Sequence, residues 1–240
     1  VNPIYSVVIP LKNEAGNITD LINELEPVMH GLKQPWELIC IDDGSTDDTR
    51  PILKNLAKQK NYLRIISFKQ NYGQSSAFDA GFKASQGKFV ITLDGDGQND
   101  PKDIPKLLQL IQDCDLVCGI RLKRKDTFVK RFTSKMANAV RNWVCEDGVQ
   151  DTGCSLKVYR KSCLEQIKMF HGMHRFLPAL FKMAGFRIQQ IPVNHRERLR
   201  GKSNYNFFNR SLNTVADLLA VRWMKKRYLR YQIDQEQSHR

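Results

Sequence analysis

Apolar residues in the first 120 positions follow two alternating patterns. Short runs rich in β-branched residues, Ser6–Leu11, Glu37–Ile41, Arg64–Phe68, Phe89–Leu93 and Leu116–Cys118, predict strands. The stretches between them, Ile18–Leu32, Thr46–Lys60, Ser75–Ala84 and Ile104–Gln112, predict helices. Ser45 and Thr46 mark the start of the second helix, with Asp47 and Asp48 in a first turn that favours negative charge. Gly87 closes the third. Five strands alternating with four helices predict an α/β fold with a mostly parallel, doubly wound sheet. In such sheets ligands gather outside the carboxyl ends of the strands, so residues just after each strand are the informative ones.

The pattern changes after Gly119. Residues Lys123–Lys130 read as a basic loop and Phe132–Val144 as a helix. Ser155–Tyr159 predicts a strand that extends the sheet, and Met169–Ala184 a helical stretch with loops. Ile188–Val193 predicts another strand, Arg196–Tyr205 a basic loop and Phe207–Tyr228 a last helix. With no repeat, low-complexity tract or clear linker, one domain with elaborations is expected.

The 240 residues are 41% hydrophobic, enough for one good core. No apolar run reaches eighteen residues, and Val7-Val8-Ile9 reads as a strand, not as a leader, so a cytosolic location is predicted. Six scattered cysteines (Cys40, Cys114, Cys118, Cys145, Cys154, Cys163) lack metal-ligand spacing and read as buried, reduced thiols. The net charge of +13 is unevenly placed. Residues 1–120 hold 12 basic and 16 acidic side chains, and residues 121–240 hold 26 and 9. A basic second half implies an anionic partner: nucleic acid, phospholipid or a phosphorylated substrate. A merely solvated basic face is the plainer alternative.

Three strand ends carry the candidate chemistry. After Leu93 comes Asp94-Gly95-Asp96-Gly97-Gln98. Two carboxylates one residue apart on a glycine-rich turn can converge on one hard cation, Mg2+ or Mn2+, together with phosphate oxygens. An EF-hand calcium loop fails here, because Asn99 stands where that loop needs Gly and Pro105 where it needs Glu. After Ile41 comes Asp42-Asp43-Gly44-Ser45, and after Pro10 comes Lys12-Asn13-Glu14. This acidic rim suits a sugar, a base or a metal. The absence of G-x-G-x-x-G and of a Walker pattern disfavours dinucleotide oxidoreductases and P-loop enzymes.

Taken in order, Val7-Val8-Ile9-Pro10, Asn13-Glu14, Ile41 to Asp47, Asn71-Tyr72-Gly73, Ala80-Gly81 and Asp94 to Gln98 resemble inverting glycosyltransferase family 2. The sub-pattern is similar to the polyprenyl- and dolichyl-phosphate sugar synthases. Its later marks are Asp151-Thr152-Gly153-Cys154, His174 to Pro178, His195 to Arg198 and Gly201 to Tyr205. The resemblance covers nearly all of residues 5–225. It implies a GT-A fold, a Rossmann-like single domain over residues 1–205, with a donor half at about 1–120 and an acceptor half at about 121–205. Residues 206–240 would form an amphipathic, basic helix and tail that meets the membrane. The resemblance places Pro10, Asn13 and Glu14 at the nucleotide and Asp42 at the base or ribose. It gives Asp94, Asp96 and Gln98 the metal, donor phosphates and sugar. Arg121, Lys130, Arg131 and Ser134 would hold the acceptor phosphate, and Arg198 and Ser203 would close over the donor diphosphate. Asp151 matches an aspartate of the family. Many bacterial relatives continue into transmembrane helices, so this chain is either a peripheral member or one cut before them.

A lipid phosphate is already ionised at neutral pH and needs no strong base. The expected reaction is a single in-line displacement with inversion, with Asp94 and Asp96 acting through the metal and Arg121 and Arg131 orienting the nucleophile. Were the acceptor a hydroxyl, Asp151 would be the first candidate base. The expected partners are a nucleotide-sugar (GDP- or UDP-), a polyprenyl or dolichyl phosphate, an anionic membrane surface at the cytosolic face, and a second copy in a possible homo-oligomer. Phe208, Leu212, Val215, Leu219 and Trp223 form a stripe that serves either core or membrane, next to Arg222, Lys225, Lys226, Arg227 and Arg230. The rivals are a family 2 enzyme acting on a glycan hydroxyl, a nucleotidyltransferase, and a nucleic-acid-binding protein. Against the last, the aromatics of the basic half are not spaced as a stacking platform, so no nucleic acid partner is expected.

Overall fold

The computed structural model describes residues 2–121, 148–198 and 207–229, with side chains of the last helix described from residue 216. The predicted loop at 123–130, the helix at 132–144, most of the 196–205 loop and Cys145 lie outside these residues.

β1 (Tyr5–Leu11), β2 (Trp36–Asp42), β3 (Leu63–Ser67), β4 (Phe89–Thr92), β5 (Leu116–Arg121), β6 (Lys157–Arg160) and β7 (Ile188–Val193) form one sheet, ordered β3-β2-β1-β4-β6-β5-β7. Every pairing is parallel except those of β6, which runs antiparallel between β4 and β5. The predicted strand at Ser155 begins two residues later, because Ser155 turns its backbone carbonyl to the Thr92 hydroxyl and its own hydroxyl to Asn99.

Strand alternation assigns each residue to a layer. Val7, Ile9, Cys40 and Ile91 pack on one face against α1 (Ile18–Gly31), α2 (Thr49–Gln59) and α4 (Ile104–Leu110). Val8, Ile39, Ile41 and Val90 pack on the other against α3 (Gln74–Ala84) and α6 (Leu177–Met183). α5 is a single turn, Lys161–Leu164. Helix α2 starts at Thr49 and not at Thr46, because residues 45–47 are used elsewhere. The Ser45 hydroxyl accepts from the Asn13 amide, the Thr46 amide donates to Asn13 Oδ1, and Asp47 accepts from the Ala15 amide. These bonds tie the loops after β1 and β2 together.

The stretch 169–184 resolves into a 3-10 turn, Met173–Arg175, followed by the short α6. The last helix, α7 (Phe207–Lys226), turns Val221 inward against Phe176 and Ala179. Leu219 and Trp223, two members of the predicted stripe, are 61% and 63% exposed and so do not belong to the core. The five cysteines among the described residues are free and buried, as expected.

Candidate active site

β1 sits between β2 and β4, so the chain winds outward from it in both directions. At the carboxyl ends of these strands the connections diverge and leave a crevice. A cleft of about 1190 Å³ occupies this position. Because β6 is antiparallel, the turn that precedes it opens onto the same edge, and Asp151 to Ser155 join the lining. The 3-10 turn supplies His174 and Arg175, and α7 supplies Ala216 and Asp217 on the far wall.

Asp94, Asp96 and Gln98 all line the cleft. Their turn is braced from below by Asn99, which is buried and whose Oδ1 accepts from both the Asp94 amide and the Ser155 hydroxyl. The Gln98 amide donates to Asp96 Oδ1 (3.1 Å), and Gln74 Nε2 donates to Asp94 Oδ1 (3.0 Å). Burial and the neighbouring Asp96 push the Asp94 carboxyl up to about 6, against Ser155, Lys157 and Arg121, which pull it down. Two carboxylates forced together in this way are short of positive charge. Among the described residues no three His, Cys, Asp or Glu side chains converge on one point. Asp94, Asp96 and the Gln98 amide oxygen would leave further positions around a hard cation to water and substrate oxygens, which is how magnesium-type sites are built.

Arg198 stands over this pair. Its Nη2 donates to Glu14 Oε1 (2.7 Å) and lies 3.6 Å from Asp96 Oδ2. The segment that carries it is fixed by the Arg196 amide donating to the Gln98 carbonyl (2.9 Å) and by Arg196 pairing with Glu24 and Asp100. Burial raises the Glu14 carboxyl, and Asn17 and Arg198 work against that rise. Pro10 and Glu14 line the cleft.

Two donor-side expectations land elsewhere. Asp42 is 0% exposed, with one oxygen accepting from the Ser45 amide and the other from Arg50 Nε (2.6 Å), so it braces the loop and does not line the cleft. Asp43 lines it instead, held by the Tyr72 and Gly73 amides at 2.6 and 2.9 Å. Asn13 is likewise spent on Ser45 and Thr46.

Arg121 and Asp151, also in the cleft lining, form a two-pronged ion pair. Nε donates to Oδ2 and Nη2 to Oδ1, both at 2.7 Å, and the Arg121 amide donates to Oδ2 as well (3.2 Å). Both Asp151 oxygens are therefore engaged, which removes it as a ready general base. A side chain at Gly153 would place its Cβ 2.7 Å from Arg121 Nη2, so the guanidinium lies directly over this turn. Lys130, Arg131, Ser134 and Ser203 lie outside the described residues. The sequence reading also passed over Gln74, the Ser75 hydroxyl bonded to His174 Nδ1 (2.7 Å), Lys157 and Asp217.

Comparison with known proteins shows the family of the chain. The sequence model of glycosyl transferase family 2 matches residues 6–168, and the chain belongs to that family. It is 37% identical over 222 residues to a dodecaprenyl-phosphate galacturonate synthase of Rhizobium johnstonii, covering 90% of this chain and 65% of the relative. It is 36% identical over 216 residues to an undecaprenyl-phosphate 4-deoxy-4-formamido-L-arabinose transferase of Proteus mirabilis, covering 89% and 66%. The chain thus spans about two thirds of these relatives' length. Among solved structures, glucosyl-3-phosphoglycerate synthase of Mycobacterium tuberculosis, crystallised with Mn2+, UDP and glucosyl-3-phosphoglycerate, superimposes with a TM-score of 0.69. The two are 20% identical, with 93% of this chain and 80% of that one covered. The fold is the GT-A fold that the resemblance implied.

Proposed function

We propose that this chain moves a sugar from a nucleotide-sugar to a polyprenyl phosphate, with inversion at the anomeric carbon. One observation carries the reading. A carboxylate pair, Asp94 and Asp96, and the Arg121 guanidinium line one cleft, so a cation held by the pair and the guanidinium would give two anions separate places. The similarity to two polyprenyl-phosphate sugar transferases supports the choice of acceptor.

In the reaction the bond between the anomeric carbon and the donor's diphosphate oxygen breaks as a phosphate oxygen of the acceptor bonds to the opposite face of that carbon. The nucleoside diphosphate leaves with the electron pair. The acceptor oxygen is already ionised, so no proton must be removed. A divalent cation, when held by Asp94, Asp96 and Gln98, supplies charge neutralisation at the leaving diphosphate. Arg198 moves from Glu14 and Asp96 onto the diphosphate as the donor enters. Arg121, and in the chain beyond it Lys130, Arg131 and Ser134, orient the acceptor phosphate. Ser203 joins Arg198 at the donor. Residues 1–205 carry this chemistry, and 206–240 meet the membrane.

No helix among the described residues is long and apolar enough to cross a membrane. We place the protein at the cytosolic face of an anionic bilayer, through the exposed Leu219 and Trp223 beside Arg222, Lys226 and Arg227. A glycan hydroxyl acceptor would need a free base, and the engagement of Asp151 by Arg121 weighs against it.

The decisive experiment is thermal shift with UDP- and GDP-sugars, with and without Mn2+, followed by transfer to undecaprenyl phosphate or to a glycan. Metal-dependent stabilisation by one nucleotide class and labelled lipid phosphate are expected. The Asp96→Ala variant loses the metal-dependent shift. Sugar appearing only on the glycan, or undiminished stabilisation in Asp96→Ala, overturns the reading.

A further inference from the structure

Lys157 opens β6 at only 4% exposure, facing the cleft side of the sheet with Tyr159 while Leu156 and Val158 face the opposite core. Its register partners are Thr92 of β4 and Cys118 of β5, so it lies between the strand that delivers Asp94 and the strand that delivers Arg121. An ammonium this buried is costly, and an apolar chain of equal length would fill the space at lower cost. What the ammonium does here is specific. Nζ donates to the carbonyls of Thr152 (3.3 Å) and Cys154, which draws the turn between them shut. That turn starts at Asp151, whose two oxygens hold Arg121, and contains Gly153, over which the guanidinium rests. The carboxylate engages Nε and Nη2 and leaves Nη1 outside the pair. The direction in which Arg121 meets a ligand is therefore set by Asp151, and the position of Asp151 by the turn that Lys157 closes.

We infer that Lys157 is a positioning residue for transfer, aligning Arg121 toward the acceptor phosphate through the 151–154 turn and Asp151. This rests on the reading of the acceptor as a lipid phosphate. It assigns Lys157 no contact with either substrate.

The test is calorimetric titration of wild type, Lys157→Met, Lys157→Gln, Arg121→Met and the Lys157→Met/Arg121→Met double variant. The probes are farnesyl phosphate for the acceptor side, and UDP and GDP, each with Mn2+, for the donor side. Lys157→Met is expected to weaken farnesyl phosphate binding about ten-fold, the usual scale for a group that orients a ligand's direct partner. Nucleotide binding stays within about three-fold, and in the Arg121→Met background the Lys157 substitution adds nothing. Lys157→Gln, which keeps a donor, falls between. Unchanged farnesyl phosphate binding in Lys157→Met overturns the inference, as does an equal loss of nucleotide binding or a full additional loss in the double variant. Absence of a native melting transition in both Lys157 variants also overturns it, by assigning the ammonium to the fold alone. Should the wild type itself not bind farnesyl phosphate, it is the acceptor reading that fails.

Discussion

At Asp94 the cost of the site can be measured. Its carboxyl is raised from 3.8 to about 6 by burial and by Asp96. The folded chain therefore holds that proton more tightly than the unfolded chain does. The penalty for ionising it is absent below about pH 4 and fully present above about pH 6, on the order of 3 kcal/mol if the whole rise is realised. Asp94→Asn is expected to stabilise the metal-free protein at pH 7.5 by at least about 1 kcal/mol, a gain that shrinks toward pH 4. Urea unfolding in EDTA at the two pH values measures it, and a gain that grows on acidification would contradict the sign. The same substitution should remove metal-dependent nucleotide binding. Single residues also mark where sequence reading fell short. Asp42 and Asp43 are both acidic and adjacent, and only the phase of the strand separates them. Ile39 and Ile41 face α3, so the next residue in that phase is Asp43, which turns toward the cleft while Asp42 pairs with Arg50. Parity was readable in the pattern of β2; the Arg50 partner, arriving from α2, was not.

Elements are positioned by close approach. Gly81 on α3 lies against β1 and β2, where an added Cβ would come 2.4 Å from Val8 Cγ1 and 2.9 Å from Ile41 Cδ1. Gly81→Ala gains helix propensity of about 1 kcal/mol. It also forces the helix off the sheet, and overpacking of this kind costs about 1–3 kcal/mol. A net loss of stability of up to about 2 kcal/mol in urea unfolding is expected. Since α3 begins at Gln74 and Ser75 on the cleft wall, nucleotide affinity should fall with it. Strands were legible to within three residues, because period-two burial writes itself into β-branched runs. The starts of α1, α3, α4 and α7 were legible to within one residue, and that of α2 was read three residues early. Ser45, Thr46 and Asp47 have the composition of a helix cap but bind the loop after β1, thirty residues away in sequence, and composition does not reveal a long-range partner. The antiparallel sense of β6 was equally hidden, since a four-residue strand reads the same in either direction.

For the molecule as a whole, charge and exposure separate two surfaces. The acidic half brings Asp94 and Asp96 to the cleft, and the last helix with the residues just after it exposes Leu219, Trp223 and Leu229 among cations. Trp223→Asp is expected to cut binding to vesicles containing phosphatidylglycerol by about ten-fold, at roughly 1–2 kcal/mol for an interfacial aromatic beside basic residues, without changing the melting temperature. Co-sedimentation at two salt concentrations checks this, and equal binding to neutral vesicles would point to apolar capture alone. The excursion in sequence from Arg121 to Asp151 joins β5 to β6, its antiparallel neighbour in the sheet. Both of its anchor points are closed by a single ion pair. On the proposed function, the junction at Arg121 and Asp151 is a natural seam for chimaeras that exchange the acceptor side and keep the donor side.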